Sequence, residues 1–254
     1  MSHPPESAGG AREGYGAAGV SLRQRTALVT GASSGIGLAI CRALGDAGAR
    51  LWLVARTEAP LRAAAASVGG RAIPADVAEQ GAVERLHGLL TAELGGPPDI
   101  VVNAAGAFAL APAVDTPVEA FDRMLAVNLR APFLLMRAFL PGMLARGTGH
   151  VVTIGSIAGR VAFPHNAAYC ASKFGVRGLH AVLDAELRGT GVRATLLEPA
   201  ATDTPLWDGM APGEHPGLPA RAAMLAPEAV ADAVVYALTR PPDVDVRVLT
   251  LERT

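Results

Sequence analysis

The stretch that decides the fold of this 254-residue chain is Ala27-Leu-Val-Thr30-Gly31-Ala-Ser-Ser-Gly35-Ile-Gly37, followed by the helical pattern from Leu38 to Ala47. An apolar strand, a glycine-rich turn and a helix come in this order where a protein binds the pyrophosphate of a dinucleotide. Glycines let the backbone approach the phosphates, whose charge is stabilised by the N–H groups and dipole of the helix N-terminus. A glycine turn alone can merely connect two elements, but its position after the first strand favours a cofactor site.

From Arg25 onward, short β-rich runs alternate with longer helical stretches, which is the pattern of a parallel sheet with helices on both faces. No repeat and no Pro/Gly-rich linker divides residues 21–254, so we expect a single Rossmann-type α/β domain. The seven predicted strands are Ala27 to Thr30, Leu51 to Ala55, Arg71 to Pro74, Ile100 to Asn103, Val151 to Ile154, Val192 to Leu197 and Val244 to Leu251.

Composition argues against several classes of function. The net charge of −1, with acids and bases interspersed, gives no electrostatic reason to expect a nucleic acid or an anionic membrane as partner. The two cysteines, Cys41 and Cys170, have no metal-ligand spacing, so we expect small core residues and no metal. Residues 1–20 lack periodicity and a signal-peptide run, which predicts a disordered arm. No apolar run reaches the roughly eighteen residues of a membrane span, so a soluble cytoplasmic protein is expected.

Lys173, in Tyr169-Cys-Ala-Ser-Lys173, is the only lysine among the 22 lysines and arginines of the chain. Its compact ammonium supplies something that a planar guanidinium cannot. Four residues apart on a helix, the two side chains leave the same face, where the ammonium can lower the phenol pKa from about 10 toward the range of a general acid/base. With three tyrosines, a randomly placed lysine would take this spacing only roughly 1% of the time, so the pair is predicted to be catalytic.

The predicted helix from about Pro117 to Arg146 is apolar around most of its circumference. A helix that packs on a sheet by one face needs only one apolar stripe. The remaining apolar surface can cover a neighbouring helix of the same chain or another subunit. We expect the second, in a homotetramer or homodimer formed through the helices at about 117–146 and 166–189.

Four separated features resemble the short-chain dehydrogenase/reductase family in its compact form: Thr30-Gly-Ala-Ser-Ser-Gly-Ile-Gly37, Asn103-Ala-Ala-Gly106, Ser156 and Tyr169-x-x-x-Lys173. Their order and spacing are very specific in combination. The resemblance implies a doubly wound sheet of seven parallel strands in the order 3-2-1-4-5-6-7. It also implies a reaction that interconverts a carbonyl and a secondary alcohol with a nicotinamide cofactor.

The resemblance assigns four catalytic residues. Ser156 would polarise the substrate carbonyl, although a serine after a strand is more often a turn or cap residue. Tyr169 would transfer the proton, while Lys173 would bind the nicotinamide ribose and keep the tyrosine pKa low. Asn128 would distort its helix and hold a water that links Lys173 to solvent, although an asparagine in a helix can also bond to backbone without such a role.

The resemblance also implies the cofactor-binding residues. Asp76 would contact adenine, although it can instead cap the next helix. Ala104 replaces the second Asn of the commonest family motif, and Ala200 replaces a glycine of the cofactor loop, where a positive φ would be unfavourable for alanine. The implied residues are Gly31, Ser33, Ser34, Gly35, Ile36, Gly37, Arg56, Asp76, Val77, Asn103, Ala104, Gly106, Tyr169, Lys173, Pro199, Thr202 and Thr204.

The end of the second predicted strand, Leu51 to Arg56, indicates which cofactor is preferred. NAD-specific sites place an acidic residue about 20 residues beyond the glycine turn, and its charge would repel a 2′-phosphate. Here Ala55 holds that position and Arg56, whose guanidinium can pair with phosphate at two points, follows it. We therefore expect NADP to be preferred, with NAD possible if Arg56 is only a solvated surface charge.

Residues 205–227, which include Leu206, Trp207 and Met210, fit an apolar lid over the substrate within the single domain. Candidates for the pocket wall are Phe108, Phe163, His165 and Asn166, although lone residues of these types are more often packing. The expected function is an NADP-preferring oxidoreductase acting on a small carbonyl or alcohol. The alternative is a nucleotide-sensing or scaffolding protein on the same fold, against which the intact Ser, Tyr and Lys argue.

Overall fold

The computed structural model describes residues 20–210, 212–213 and 218–254. Seven parallel strands form one sheet in the order β3-β2-β1-β4-β5-β6-β7, so the predicted topology is confirmed. The arm predicted at residues 1–20 lies, apart from Val20, outside the described residues. The strands are β1 Thr26–Thr30, β2 Arg50–Ala55, β3 Arg71–Pro74, β4 Ile100–Asn103, β5 Gly149–Ile154, β6 Val192–Pro199 and β7 Val248–Leu251.

The helices cover both faces of this sheet. They are α1 Gly35–Asp46, α2 Glu58–Ser67, α3 Gln80–Leu94, α4 Val118–Leu125, α5 Ala131–Arg146, α6 Ala167–Glu186 and α7 Pro227–Leu238. One core cluster lies between the sheet and α1, α2 and α7, and a second lies between the opposite face and α3, α5 and α6. The central strands are apolar throughout because both of their faces are buried.

The strand order reverses between β1 and β4, which pair with each other in parallel while β2 lies on the other side of β1. Loops that leave the carboxyl ends of β1 and β4 therefore run in opposite directions along the sheet. In open α/β sheets such a reversal forms the crevice in which ligands bind. The glycine turn Gly31–Ser34 leaves β1 at this point.

The helix predicted from about Pro117 to Arg146 is continuous but contains a π-helical segment, Ala126–Arg130, between α4 and α5. Part of its apolar surface covers neighbouring helices, since α4 packs against α6 and α5 against α3. By length and composition alone, the helix Val118–Arg146 could cross a membrane, whereas the sequence was predicted to contain no apolar run long enough to do so. Half of the most apolar 18-residue stretch of this helix is buried inside the protein.

The last strand is shorter than predicted, because it begins at Val248 rather than Val244. The Arg193 guanidinium donates hydrogen bonds to the carbonyls of Arg240, Pro241 and Val244 and so holds those residues in a turn. Pairing with β6 starts only at Val248, opposite Leu196.

Candidate active site

The glycine turn forms a cradle whose shape requires glycine. Gly31 has a φ of +66°, and a Cβ there would meet the Ala104 carbonyl oxygen at 2.7 Å. A Cβ at Gly37 would collide with the Gly31 carbonyl, so the turn and the first turn of α1 pack backbone to backbone. Ser34 caps α1 but makes no side-chain capping hydrogen bond, which leaves N–H groups of the helix N-terminus without a side-chain acceptor. These features fit the pyrophosphate of a dinucleotide.

Thr30 joins the two sides of the crevice. Its hydroxyl donates to the Val102 carbonyl at 3.3 Å and accepts from the backbone N–H groups of Ala104 and Ala105 at 3.1 and 3.2 Å. Asn103 ties β4 to β5 by donating from Nδ2 to the Thr153 hydroxyl at 3.1 Å. The sequence motif that contains Thr30 did not indicate a role for its side chain. In the structure this side chain fixes the loop after β4 beside the glycine turn.

Tyr169 and Lys173 lie one turn apart on α6, as predicted from their spacing. The Lys173 Nζ atom is 5.5 Å from the centroid of the Tyr169 ring. Lys173 is buried and donates one hydrogen bond from Nζ to the Ile154 carbonyl at 2.9 Å. An ammonium has three donors, so two remain for a ligand or the phenol.

Burial shifts both titrating groups. It raises the pKa of Tyr169 to about 12, and the nearby Ser156 side chain acts in the opposite direction. The sequence predicts a lowered tyrosine pKa, and that direction is wrong for this structure because loss of solvent around the phenol has the largest effect. Burial also lowers the pKa of Lys173 to about 8. At neutral pH the phenol therefore keeps its proton and the lysine is mainly an ammonium.

Ser156 lies two residues past the end of β5, at the carboxyl edge of the sheet. Its hydroxyl accepts a hydrogen bond from the Ala158 backbone at 3.1 Å and caps the short 3₁₀ turn Ile157–Gly159. Ser156 therefore is a cap residue, one of the two roles that the sequence left open, and its side chain also lies close enough to Tyr169 to affect the pKa of the phenol.

Asn128 lies in the π-helical segment and is buried. Its Oδ1 accepts from the Ala107 N–H at 2.8 Å, while its Nδ2 donates to the Ala107 carbonyl at 2.9 Å and to the Ser172 hydroxyl at 3.0 Å. Ser172 in turn donates to the Tyr169 carbonyl at 2.7 Å. The predicted helix distortion is present, but the side chain bonds to other segments rather than to its own helix. Asn128 thus joins the loop after β4 to the helix that carries Tyr169.

Asp76 and Val77 follow β3, and Asp76 does not have the alternative role of a helix cap that was predicted for it. Asp76 accepts from the Ala78 N–H at 3.0 Å and forms an ion pair with Arg123 at 3.1 Å, while Glu79 is the residue that caps α3. The Val77 side chain is buried in the core, so contact with a cofactor would be through its backbone.

Arg56 lines a cavity of about 420 Å³ at the carboxyl ends of β2 and β3. Asp76 and Arg85 line the same cavity, over a mainly apolar floor that includes Ile73 and Leu86. Neither arginine forms an ion pair or a side-chain hydrogen bond with any residue in the described ranges. Sequence reasoning missed Arg85, whose position on α3 gives no signal of nearness to Arg56.

The segment Pro199–Thr204 leaves β6 beside the glycine turn, where a Cβ at Gly35 would meet the Thr204 side chain at 3.2 Å. Among the described residues that are not glycine, only Gln24 and His165 have a positive φ. Ala200 therefore adopts an ordinary conformation, and the expected conflict at this position does not arise. Thr202 donates to the Ala200 carbonyl at 3.0 Å, which tightens the loop.

Three aromatic rings, one of them the ring of Tyr169, form a group in the structure. Phe108 packs against the rings of Tyr169 and Trp207, with centroids 4.8 and 5.0 Å apart. The predicted lid at 205–227 lies only partly in the described residues, where it contains the short turns Pro205–Trp207 and Arg221–Ala223.

Of the other pocket candidates, neither Phe163 nor His165 makes a ring contact with this aromatic group in the described structure. His165 borders a second cavity of about 250 Å³, and the buried Asn166 bonds to the Pro164 carbonyl. Phe163 is 36% exposed.

Comparison with known proteins shows the family to which the chain belongs. The family model described as short chain dehydrogenase matches residues 25–214. An uncharacterised oxidoreductase of Staphylococcus epidermidis is 35% identical over 232 residues, which make up 91% of this chain and 97% of that protein. D-threitol dehydrogenase of Mycolicibacterium smegmatis is 42% identical over 197 residues, with 74% of this chain and 75% of the relative covered.

A solved metagenomic short-chain oxidoreductase in complex with NADP superimposes with a TM-score of 0.79 at 33% identity, covering 92% of this chain and 99% of that one. The doubly wound sheet and the glycine cradle at its reversal point define an NAD(P)-dependent oxidoreductase. The chain belongs to the short-chain dehydrogenase/reductase family.

Proposed function

We propose that this enzyme interconverts a carbonyl compound and a secondary alcohol, with Tyr169 as the general acid/base. The observation that carries the proposal is the meeting of three side chains at the carboxyl edge of the sheet. The Tyr169 hydroxyl lies next to that of Ser156, and the buried Lys173 ammonium lies 5.5 Å from the phenol ring. When bound, the nicotinamide cofactor supplies or accepts the hydride.

Each of these residues has a separate task in carbonyl reduction. The Ser156 hydroxyl donates a hydrogen bond to the carbonyl oxygen and orients it. Tyr169 holds its proton at neutral pH, because its pKa is raised to about 12, and transfers it from Oη to the oxygen as negative charge develops there. The Lys173 ammonium stabilises the phenolate that remains. In alcohol oxidation the same groups act in reverse.

The residues that would hold the cofactor follow from the crevice. The cradle Gly31–Gly37 would bind the pyrophosphate through backbone N–H groups, and Thr204 borders it from the other side. Asp76, Asn103 and Gly106 remain the proposed surroundings of the adenosine, with the other residues predicted from the sequence.

We propose a preference for NADP over NAD, which is supported by two arginines. Arg56 and Arg85 line one cavity, and Ala55 replaces the carboxylate that would repel a 2′-phosphate. A phosphate would supply the anionic partner that neither guanidinium has within the described residues. The complex of the metagenomic short-chain oxidoreductase with NADP agrees with this proposal.

Three further predictions stay proposals about the whole protein. These are a single functional domain over residues 21–254, a cytoplasmic location and a homo-oligomeric assembly. The rival function, nucleotide sensing without catalysis, is disfavoured by the arrangement of Ser156, Tyr169 and Lys173, which binding alone does not require.

Tyr169→Phe tests the catalytic proposal. Turnover of a panel of ketones and alcohols, followed by absorbance of the reduced cofactor, should fall at least about 100-fold, because general acid/base catalysis contributes that much. The dissociation constant for NADPH should stay within about twofold, because only the phenolic oxygen is removed. Tyr236→Phe is the matched control, since Tyr236 is half-exposed on α7 and should leave both values unchanged. More than about a tenth of wild-type activity in Tyr169→Phe would refute the assignment.

A further inference from the structure

The Phe108 ring is the centre of an aromatic group that includes the ring of Tyr169. It meets Tyr169 edge to face, with an interplanar angle of 87°, and Trp207 at 61°. The three residues come from the loop after β4, from α6 and from the turn after β6. Edge-to-face contacts at such distances are favourable beyond the area they bury, so they fix the ring orientations.

The loop that carries Phe108 is held in place by its neighbour. Both backbone polar groups of Ala107 are bonded to Asn128, which is buried in the π-helical segment. Phe108 is therefore part of a fixed wall, because the residue before it cannot shift without breaking two hydrogen bonds to the buried Asn128 side chain.

Among the described residues, Trp207 and the two acidic side chains nearest to it in sequence already have polar partners. The Trp207 Nε1–H donates to the Thr202 carbonyl at 2.9 Å, so the indole offers no free donor. Asp203 and Asp208 each form an ion pair with Arg221, at 2.9 and 2.5 Å. The charges near Trp207 thus neutralise each other in part and do not supply a free counter-charge for a substrate.

We infer that the substrate carries an uncharged apolar group, best a ring, which packs against Phe108 and Trp207 while its carbonyl meets Ser156 and Tyr169. Phe108 is then a specificity-determining residue. This inference rests on the proposed function and names its substrate class. A carboxylate placed against these rings would lose water without gaining a counter-charge, and a polyol would leave hydroxyls without partners. The inferred substrate class therefore differs from D-threitol, the polyol after which the relative D-threitol dehydrogenase is named.

Three methyl ketones that share one chain test the inference: 4-phenyl-2-butanone, 2-pentanone and 4-oxopentanoate. They carry a phenyl, a methyl and a carboxylate group at the same distance from the carbonyl. With NADPH and the full chain, we expect kcat/KM for the phenyl ketone to exceed that for 2-pentanone at least tenfold, and that for 4-oxopentanoate by more. Oxidation of D-threitol with NADP should be slower than that of 4-phenyl-2-butanol.

Phe108→Ala should reduce the phenyl-to-methyl ratio of kcat/KM at least fivefold, mainly through KM for the phenyl ketone. Phe108→Leu keeps more of the apolar volume and should restore part of the ratio, which also covers the case in which the alanine variant does not fold. Tyr236→Ala is the control, because Tyr236 is a half-exposed aromatic residue on α7 whose ring contacts Arg240 and makes no ring contact with Tyr169 or Phe108 in the described structure. Binding of NADPH, measured by fluorescence, should be unchanged in all three variants.

The outcomes separate this inference from the proposed function. Turnover that favours 4-oxopentanoate or D-threitol, or a phenyl-to-methyl ratio that both Phe108 variants leave unchanged, would overturn the substrate class alone. No turnover of any ketone or alcohol with either NADPH or NADH would overturn the proposed function and the inference with it.

Discussion

Arg56 and Arg85 are the residues at which cofactor choice can be measured directly. Arg56→Ala should raise the dissociation constant and the KM for NADPH at least tenfold and leave those for NADH little changed, because a charged hydrogen bond contributes about 1.5 to 3 kcal/mol. Arg85→Ala should act in the same direction by a smaller factor. Fluorescence titration with both cofactors measures the effect independently of turnover.

Arg62→Ala is the control for this pair. Arg62 lies on α2 and forms an exposed ion pair with Glu58, so its loss should change neither cofactor's affinity. Equal affinity of the wild-type protein for NADPH and NADH would contradict the preference for NADP. Equal losses for both cofactors in Arg56→Ala would show that Arg56 acts on a part that the two cofactors share.

The buried Lys173 is expected to lower the free energy of unfolding, although catalysis needs it. Its pKa is lowered from 10.5 to about 8, so below pH 8 the folded protein carries a buried ammonium that the unfolded chain keeps in water. Lys173→Met removes this cost and should raise the free energy of unfolding at pH 7 by up to about 3 kcal/mol, since one pKa unit corresponds to about 1.4 kcal/mol.

The difference in unfolding free energy between the wild type and Lys173→Met should depend on pH. Between pH 8 and 10.5 the unfolded chain binds the proton more readily than the folded protein, so wild-type stability rises relative to Lys173→Met and the difference closes near pH 10.5. Urea unfolding at pH 7 to 10.5 measures this. A difference that does not change with pH would show that burial does not shift this group. Activity should be lost in Lys173→Met and severely impaired in Lys173→Arg.

At the scale of elements, the side-chain hydrogen bonds of Asn128 explain the π-helical segment Ala126–Arg130. Asn128→Ala removes three hydrogen bonds of a buried side chain and should lower the free energy of unfolding by about 2 to 4 kcal/mol. It should also raise KM, because the loop that carries Phe108 loses its anchor. Ser172→Ala removes one of the three bonds and should show a smaller loss of stability.

A pH profile distinguishes two roles for Asn128. If its side chain only positions the loop and α6, kcat/KM in Asn128→Ala should fall while its apparent pKa stays that of the wild type. A shift of the apparent pKa by about one unit or more would instead support the proton relay to Lys173 that the family resemblance implies.

Strands were predictable because their signal is local. Buried parallel strands are continuous apolar runs, and the bounds of Arg71–Pro74 and Ile100–Asn103 agree with the prediction. The predicted start of the last strand was wrong because a side chain distant in sequence, that of Arg193, holds the preceding residues in a turn. The π-helical segment arises from bonds to Ala107 and Ser172, which helical periodicity does not contain.

At the scale of the whole molecule, motif spacing predicted which residues would surround the reaction but not how they would meet. Tyr169 and Lys173 are neighbours on one helix, so their contact followed from sequence. Phe108 and Trp207 meet only through the tertiary fold, as do Arg56 and Arg85. The direction of the Tyr169 pKa shift depends on burial by several elements together, which a single stretch of sequence cannot give.

The surface of the single chain leaves aromatic side chains exposed on the helices predicted to form an interface. Phe121 on α4 is 37% exposed, Phe133 on α5 is 48% exposed and Phe174 on α6 is 46% exposed. Packing of α4 on α6 covers other apolar residues of these helices but not these three. Because α4 and α6 lie side by side, a second copy that covers one of them can cover both.

We therefore expect a dimer or tetramer by light scattering at micromolar concentration. Phe174→Asp combined with Val182→Asp should shift the protein toward smaller species, because a carboxylate in an apolar interface loses water without gaining a partner. Leu89→Asp on α3, another partly exposed apolar residue, should leave the mass unchanged. Monomeric wild-type protein at this concentration would contradict the assembly, and an unchanged mass in the double variant would place the interface on other helices.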